Sequence, residues 1–375
     1  MNLRRRLAKS AVLRLRTSKA KGNLPMTGKY MAYVGSYSYT GKAKGITVYD
    51  VDVEAGKFIY RCEVEVDNSS YLKSSQNGKI LYSIADEGVV AFRVLPNGSL
   101  ARLNSAKIKG MRGCHLSTSK ADDYIFISGF HDGKITVLHL NEDGSVGDIA
   151  DGVFHKGLGS VAERSFRPHV SCSRLTPDER FLMVADLGID QIKVYRVDHK
   201  DGKIALVDTI RCALESAPKY FMFSSDGRFF YVLYEMKNVI EVYSYKEGER
   251  VPIVEKIQTI SSTGSKPNQL TAACAMHFSP DEKHVFCSNA GDNTVSMYDR
   301  DDETGMLTLR FCLPISGDYP KDIAIFPGGE HLASINHEGS ISFFKIDYEK
   351  GLLVMSDRSI KVNEPNCCEI VKIGD

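Results

Sequence analysis

Alternation of apolar and polar positions runs through this chain in short bursts, and the bursts repeat. Seven times an alternating apolar run meets a short polar turn containing glycine and then a second run: ITVYDVDVEAGKF, VVAFRVLPNGSL, KITVLHLNEDGSV, QIKVYRVDHKDGKI, VIEVYSYKEGERV, TVSMYDRDDETGML and SISFFKIDYEKGLL. A period of two marks strands whose successive side chains face opposite ways. Glycine between two such runs supplies the positive φ of a tight hairpin. The turn glycines are Gly56, Gly98, Gly144, Gly202, Gly248, Gly305 and Gly351, spaced on average about 49 residues apart.

A second hairpin stands ahead of each of the last six. Its turns are Asn77-Gly78, Asp122-Asp123, Asp178-Glu179, Asp226-Gly227, Asp281-Glu282 and Gly328-Gly329, each followed by an apolar strand such as YIFISGF, RFLMVAD or RFFYVLY. Two hairpins per repeat make four strands. The predicted fold is therefore all-β: a seven-bladed β-propeller of four-stranded antiparallel blades filling residues 27–375 as one domain.

The two ends of the pattern test that reading. The first repeat opens at its second strand, KYMAYVG, with no innermost strand before it. The chain finishes on an unclaimed segment, EPNCCEIVKI, which matches the innermost strands APKYFMFS and YPKDIAIF down to the proline in second place. Residues 364–373 should therefore pair with the Tyr33 strand and close the ring, removing an open sheet edge.

Composition narrows the functions available. The chain is 43% hydrophobic and 25% charged, with a formal charge of +1, as expected of a globular protein. Residues 1–26 carry eight Lys/Arg and no acid; without them 40 Lys/Arg face 47 Asp/Glu, a balance of −7. A body of that sign argues against nucleic acid as the partner. No apolar run approaches a membrane span. The leader lacks the apolar core of a secretory signal; it reads as a disordered basic arm, a transit peptide, or sequence upstream of a true start at Met26. Nine cysteines without a C-x-x-C motif suggest reduced thiols and a cytoplasmic protein. No metal and no cofactor are expected, because His, Asp and Glu show no ligand spacing.

In such a ring the starts of the innermost strands and the ends of the second strands share one face, around the axis. The longer connections GLGSVAERSF and SSTGSKPNQL open there too, so a pocket at that mouth is the expected site. Inner-strand starts supply Arg167, His169, Lys219, Tyr220, Lys321 and Asp322; second-strand ends supply Phe130, Asp186, Glu235, Asn289 and His337.

The segment RPHVSCSRLTPDERFLMVADLGIDQIKVY resembles the signature of lactonase-type propellers, a group that includes bacterial 6-phosphogluconolactonases and fungal carboxymuconate-lactonizing enzymes. YVGSYSYTGKAKGITVY, PKYFMFSSDGRFFYVLYE and HFSPDEKHVFCSNAGDNTVSMYD extend the likeness from Tyr30 to the C-terminus. The resemblance implies a cofactor-free hydrolase that opens a lactone or sugar-phosphate lactone by water attack. Carried over by position, it places His169 and Glu235 as base and proton carrier, in either order. Lys219 would stabilise the oxyanion, with Asn289 as a further donor. Arg167 and Lys321 would contact a phosphate, and Asp186, Tyr220 and His337 would complete the substrate-binding wall. Many relatives read Pro-Arg-His where this chain has Pro218-Lys219-Tyr220, Arg where it has Ala290, and a second His where it has Ser171. Two other readings stay open: a lactonizing cycloisomerase on muconate-like diacids, and a non-enzymatic propeller binding a small ligand or a protein.

Overall fold

A computed structural model describes residues 28–159, 166–264, 268 and 270–374; the leader lies outside the described residues, as do parts of both long connections. The described residues form seven four-stranded antiparallel sheets arranged as a ring. Among them no helix is long and apolar enough to cross a membrane.

Blade 1 runs from the axis outward as Pro365–Ile373, Lys29–Ser36, Gly45–Asp52 and Lys57–Glu65. The C-terminal strand pairs antiparallel with the first, Ala32 opposite Ile370 and Lys29 opposite Ile373. The ring is closed by the tail, as the sequence implied. The inner strands of blades 2 to 7 are Leu72–Ser74, His115–Thr118, Val170–Leu175, Pro218–Phe223, Ala272–Phe278 and Pro320–Ile325.

Both faces of a blade are covered by its neighbours, so the core is divided into seven apolar seams rather than one. Met31, Tyr33, Leu81 and Phe92 fill the seam between blades 1 and 2; Phe221, Phe230, Val232 and Tyr243 belong to that between blades 4 and 5. Each fully buried side chain of this size stabilises the fold by about 1.5–3 kcal/mol.

The turn glycines also belong to these seams. Tyr33, Tyr82 and Tyr231 each donate their hydroxyl to the turn-glycine carbonyl of the next blade, at Gly98, Gly144 and Gly305. A Cβ on Gly98 would lie 2.5 Å from the Met31 sulfur, and one on Gly305 2.4 Å from the Phe229 ring. Glycine there serves both positive φ and close blade contact. Gly248 departs from the expectation. It is absent from the positive-φ residues, and what excludes a side chain is the Val251 carbonyl oxygen, 1.9 Å from where a Cβ would stand.

Candidate active site

One local device recurs where the inner strands begin. Ala217, Tyr319 and Glu364 adopt φ of 58°, 60° and 47°, and each precedes a proline: Pro218, Pro320 and Pro365. Immediately afterwards the register slips by one residue, leaving Lys219 and Lys321 unpaired in blades 5 and 7. The same slip passes over Ser171 in blade 4 and Cys274 in blade 6. A bulge of this kind leaves one residue out of the ladder and re-aims its side chain. Here it gathers lysines and a thiol at the mouth. Left-handed non-glycine residues carry strain, of order 1 kcal/mol or more each.

The Lys219 ammonium lies 2.6 Å from Glu235 Oε2 and 3.7 Å from Cys274 Sγ. Burial alone would lower its pKa, but the Cys274 sulfur and the Glu235 carboxylate outweigh that and raise it above the ordinary lysine value. Lys219 is thus a fixed cation. Glu235 follows the second strand of blade 5, and its backbone N–H bonds the Ala217 carbonyl, so both partners of the pair are set by one bulged hairpin.

His169 stands on the neighbouring blade. Its backbone N–H donates to Asp186 Oδ1 at 2.8 Å, and its ring stacks on Phe130 with centroids 4.4 Å apart. Nδ1 lies 2.7 Å from the Phe130 carbonyl oxygen. A carbonyl only accepts, so Nδ1 carries the proton and Nε2 is the basic atom of the neutral ring. Ser171 Oγ donates to the Pro218 carbonyl at 2.9 Å, tying this strand to the one that carries Lys219.

Asp186 lies behind His169 rather than at the mouth. It is fully buried, with Oδ1 taken by the N–H groups of His169 and Gly188 and Oδ2 by His155 Nδ1 at 2.7 Å. Burial lowers the His155 pKa in spite of that carboxylate. Asn289 is also fully enclosed, its amide donating to the Ser262 carbonyl at 2.9 Å. Neither side chain faces the channel opening. The expectation placed them one residue out of step: Phe130, Glu235 and His337 lie just past their second strands, whereas Asp186 and Asn289 are still inside theirs. A one-residue shift turns a strand side chain to the other face.

The rest of the rim is basic and aromatic. Lys321 sits 5.7 Å from the Tyr319 ring centroid; burial and then Lys219 lower its pKa. Burial and then Lys321 also lower that of His337, whose ring meets Tyr37 edge-on at 5.8 Å. Arg112 lies over Tyr37 and Tyr39 and pairs with Asp86 at 3.0 Å. His131, its pKa lowered by burial and then by Arg112 and His169, continues the arc. Arg167 is exposed against Phe166. Asp322 is turned aside, bonding His277 Nε2 at 2.8 Å and the Cys368 N–H at 3.0 Å. Tyr220 projects from the inner strand next to Lys219 and takes a hydrogen bond from Arg174. Sequence reasoning missed Arg112, Cys274 and Arg174. Among the described residues no group of three or more His, Cys, Asp and Glu is arranged for a metal.

A cluster of cations around one base and one carboxylate suits an anionic substrate that undergoes acyl transfer to water. Comparison with known proteins points the same way. A family model described as a seven-bladed β-propeller lactonase matches residues 31–370. A 6-phosphogluconolactonase of Bacillus subtilis is 27% identical over 350 residues, covering 92% of this chain and 99% of its own. Another, of Formosa agariphila, is 26% identical over 345 residues, covering 88% and 96%. The solved structure of a periplasmic gluconolactonase from Pseudomonas aeruginosa shares the fold, with TM-score 0.86 at 24% identity over 92% of this chain and 100% of that one.

Proposed function

Because the chain belongs to the seven-bladed β-propeller lactonase family, we propose that it hydrolyses an anionic sugar lactone, of the 6-phosphogluconolactone kind, at the Lys219–Glu235 mouth. The observation that carries the reading is that ion pair, a cation fixed at 2.6 Å from its carboxylate on the blade next to His169. His169 Nε2 takes a proton from water as the water oxygen bonds the lactone carbonyl carbon. The Lys219 ammonium receives the negative charge that develops on the carbonyl oxygen, while Glu235 holds that ammonium in place. Collapse breaks the bond from the carbonyl carbon to the ring oxygen. The imidazolium returns its proton to the departing alkoxide, giving the open hydroxy acid.

The test is acid release from 6-phosphogluconolactone by the full chain, corrected for spontaneous opening. Lys219→Met is expected to lower kcat/KM by about 10²- to 10³-fold, and Lys219→Arg to recover most of it, since arginine keeps the cation. A wild-type rate no faster than the background would sink the proposal and favour a binding propeller.

Lys321 gives a pH signature. Its lowered pKa means that the ammonium loses its proton at lower pH than an ordinary lysine does. An anionic substrate held by Lys321 should therefore show KM rising on the alkaline side below the usual lysine range near 10.4. Lys321→Arg, which stays charged, should flatten that rise. An alkaline KM profile that is the same in both proteins would remove Lys321 from the binding wall.

A further inference from the structure

Midway along the inner strands, at the waist of the channel, a second group of polar side chains gathers from blades 2 to 5. Arg174, near the end of the blade-4 inner strand, lies with its guanidinium carbon 4.9 Å from the Tyr220 ring centroid and donates from Nη2 to the Tyr220 hydroxyl. His115 meets the Tyr220 ring edge-on at 5.8 Å, and Tyr71 lies 4.7 Å from His115, centroid to centroid. Tyr71 and Tyr220 thus flank His115. His115 is almost completely buried.

The charges here do not balance. Arg112 and Arg300, two other arginines with sheltered side chains, each hold a carboxylate: Asp86 at 3.0 Å and Asp302 at 2.8 Å. Arg174 has none among the described residues, and its Nε is buried without a hydrogen-bond partner. The nearby acids are already engaged: Glu369 by Lys73 at 3.0 Å and two groups of Ser74, and Asp322 by His277 and the Cys368 N–H. A half-buried guanidinium with no carboxylate beside it and its Nε enclosed is stabilised when an anion joins it. Its planar fork, with one edge spent on a neutral hydroxyl and another unused, matches the geometry of an oxyanion.

We propose that the waist of the channel is an oxyanion-binding site, in which Arg174 and the Tyr71 and Tyr220 hydroxyls hold a phosphate-like group, separate from the Lys219–Glu235 mouth. The site does not depend on hydrolysis. Its ligand is either free phosphate or the phosphate end of a sugar acid lowered through the mouth.

Inorganic phosphate titrated into the full chain at constant ionic strength, followed by calorimetry and by the unfolding midpoint, tests this. Wild type is expected to bind. Arg174→Met should weaken binding at least tenfold, Arg174→Lys less, and Tyr220→Phe severalfold while keeping the ring that fills the waist. The Tyr220 variant also keeps the test decisive if Arg174→Met does not fold. Lys107→Met, on the outer strand of blade 2, should change phosphate affinity less than threefold. Competition separates the two sources: 6-phosphogluconate displaces phosphate, and gluconate does not, if the sugar phosphate reaches the waist; both bind alongside phosphate if the anion is free. Phosphate binding that is absent beyond the salt effect, or unchanged in Arg174→Met and Tyr220→Phe, or lost equally with Lys107→Met, overturns the proposal.

Discussion

His169→Asn is expected to lower kcat/KM for a phosphosugar lactone by about 10²- to 10⁴-fold while moving the unfolding midpoint by only about 3 °C. The choice of asparagine follows from how the ring is held. Nδ1 of His169 donates to the Phe130 carbonyl at 2.7 Å, and an asparagine amide can make a donation of the same sense. The second anchor is the backbone N–H on Asp186 Oδ1, which no side-chain change removes. What disappears is Nε2, the only basic atom the residue offers to a water molecule. Part of the stacking on Phe130 goes too, worth about 1 kcal/mol. A variant that retains more than a third of wild-type kcat/KM would remove His169 from the chemistry and leave Glu235 as the base.

Asp186→Asn should behave differently, and the contrast shows which residues act on substrate and which act through others. Asp186 accepts from His169, Gly188 and His155 at once, so the amide would have to turn one donor against another. Stability and rate should fall together in that variant, whereas His169→Asn separates them.

The repeat explains why the architecture could be read so far and the site only in part. Seven copies of one hairpin pattern, each with its turn glycine, leave few alternatives to a ring of blades, and the matching proline in EPNCCEIVKI located the closing strand. The bulges were not legible, because a bulge is a property of two paired strands and not of either alone; Cys274 was overlooked for that reason. Asp186 and Asn289 were misplaced because blades are buried on both faces, so alternation does not say which side chains face the axis. A signal was present nonetheless. Asp186 and Asn336 end the second strands of blades 4 and 7, Asn289 is the last but one of that of blade 6, and both asparagines pin the connection before their own blade, through the Ser262 and Ser316 carbonyls. Polar residues recurring at one repeat position belong to the scaffold. Glu235 stands just past its second strand where other blades carry Phe130, Leu187, Ala290 and His337; Asp86 of blade 2 is the other carboxylate at that position. Arg174 stands out only within its own inner strand, otherwise filled by small and apolar residues, since Lys73 and His277 hold the matching register in blades 2 and 6.

Ending the chain at Asn363 should abolish the folded state at 25 °C, and a rearranged chain should restore it. The C-terminal strand buries Pro365, Cys367, Cys368, Val371 and Ile373, contributions that together reach the order of the 5–15 kcal/mol that stabilises a typical domain. It also ties three blades: Glu369 holds Lys73 and Ser74 of blade 2, and the Cys368 N–H holds Asp322 of blade 7. Its loss would bare the ladder edge of Lys29–Ser36, a template for association with other chains, so the truncated protein should be recovered as aggregate. The register supplies the control. Ile373 lies opposite Lys29, close enough for a short glycine-containing turn to join residue 374 to residue 28, with new ends opened between Asn363 and Glu364. That permutant keeps every strand contact and changes only the order in which the chain delivers them. It should be soluble and show a far-ultraviolet spectrum and unfolding midpoint close to those of the parent. If the permutant fails as the truncation does, the tail acts through something other than its place in blade 1, and the ring would owe its closure to another contact.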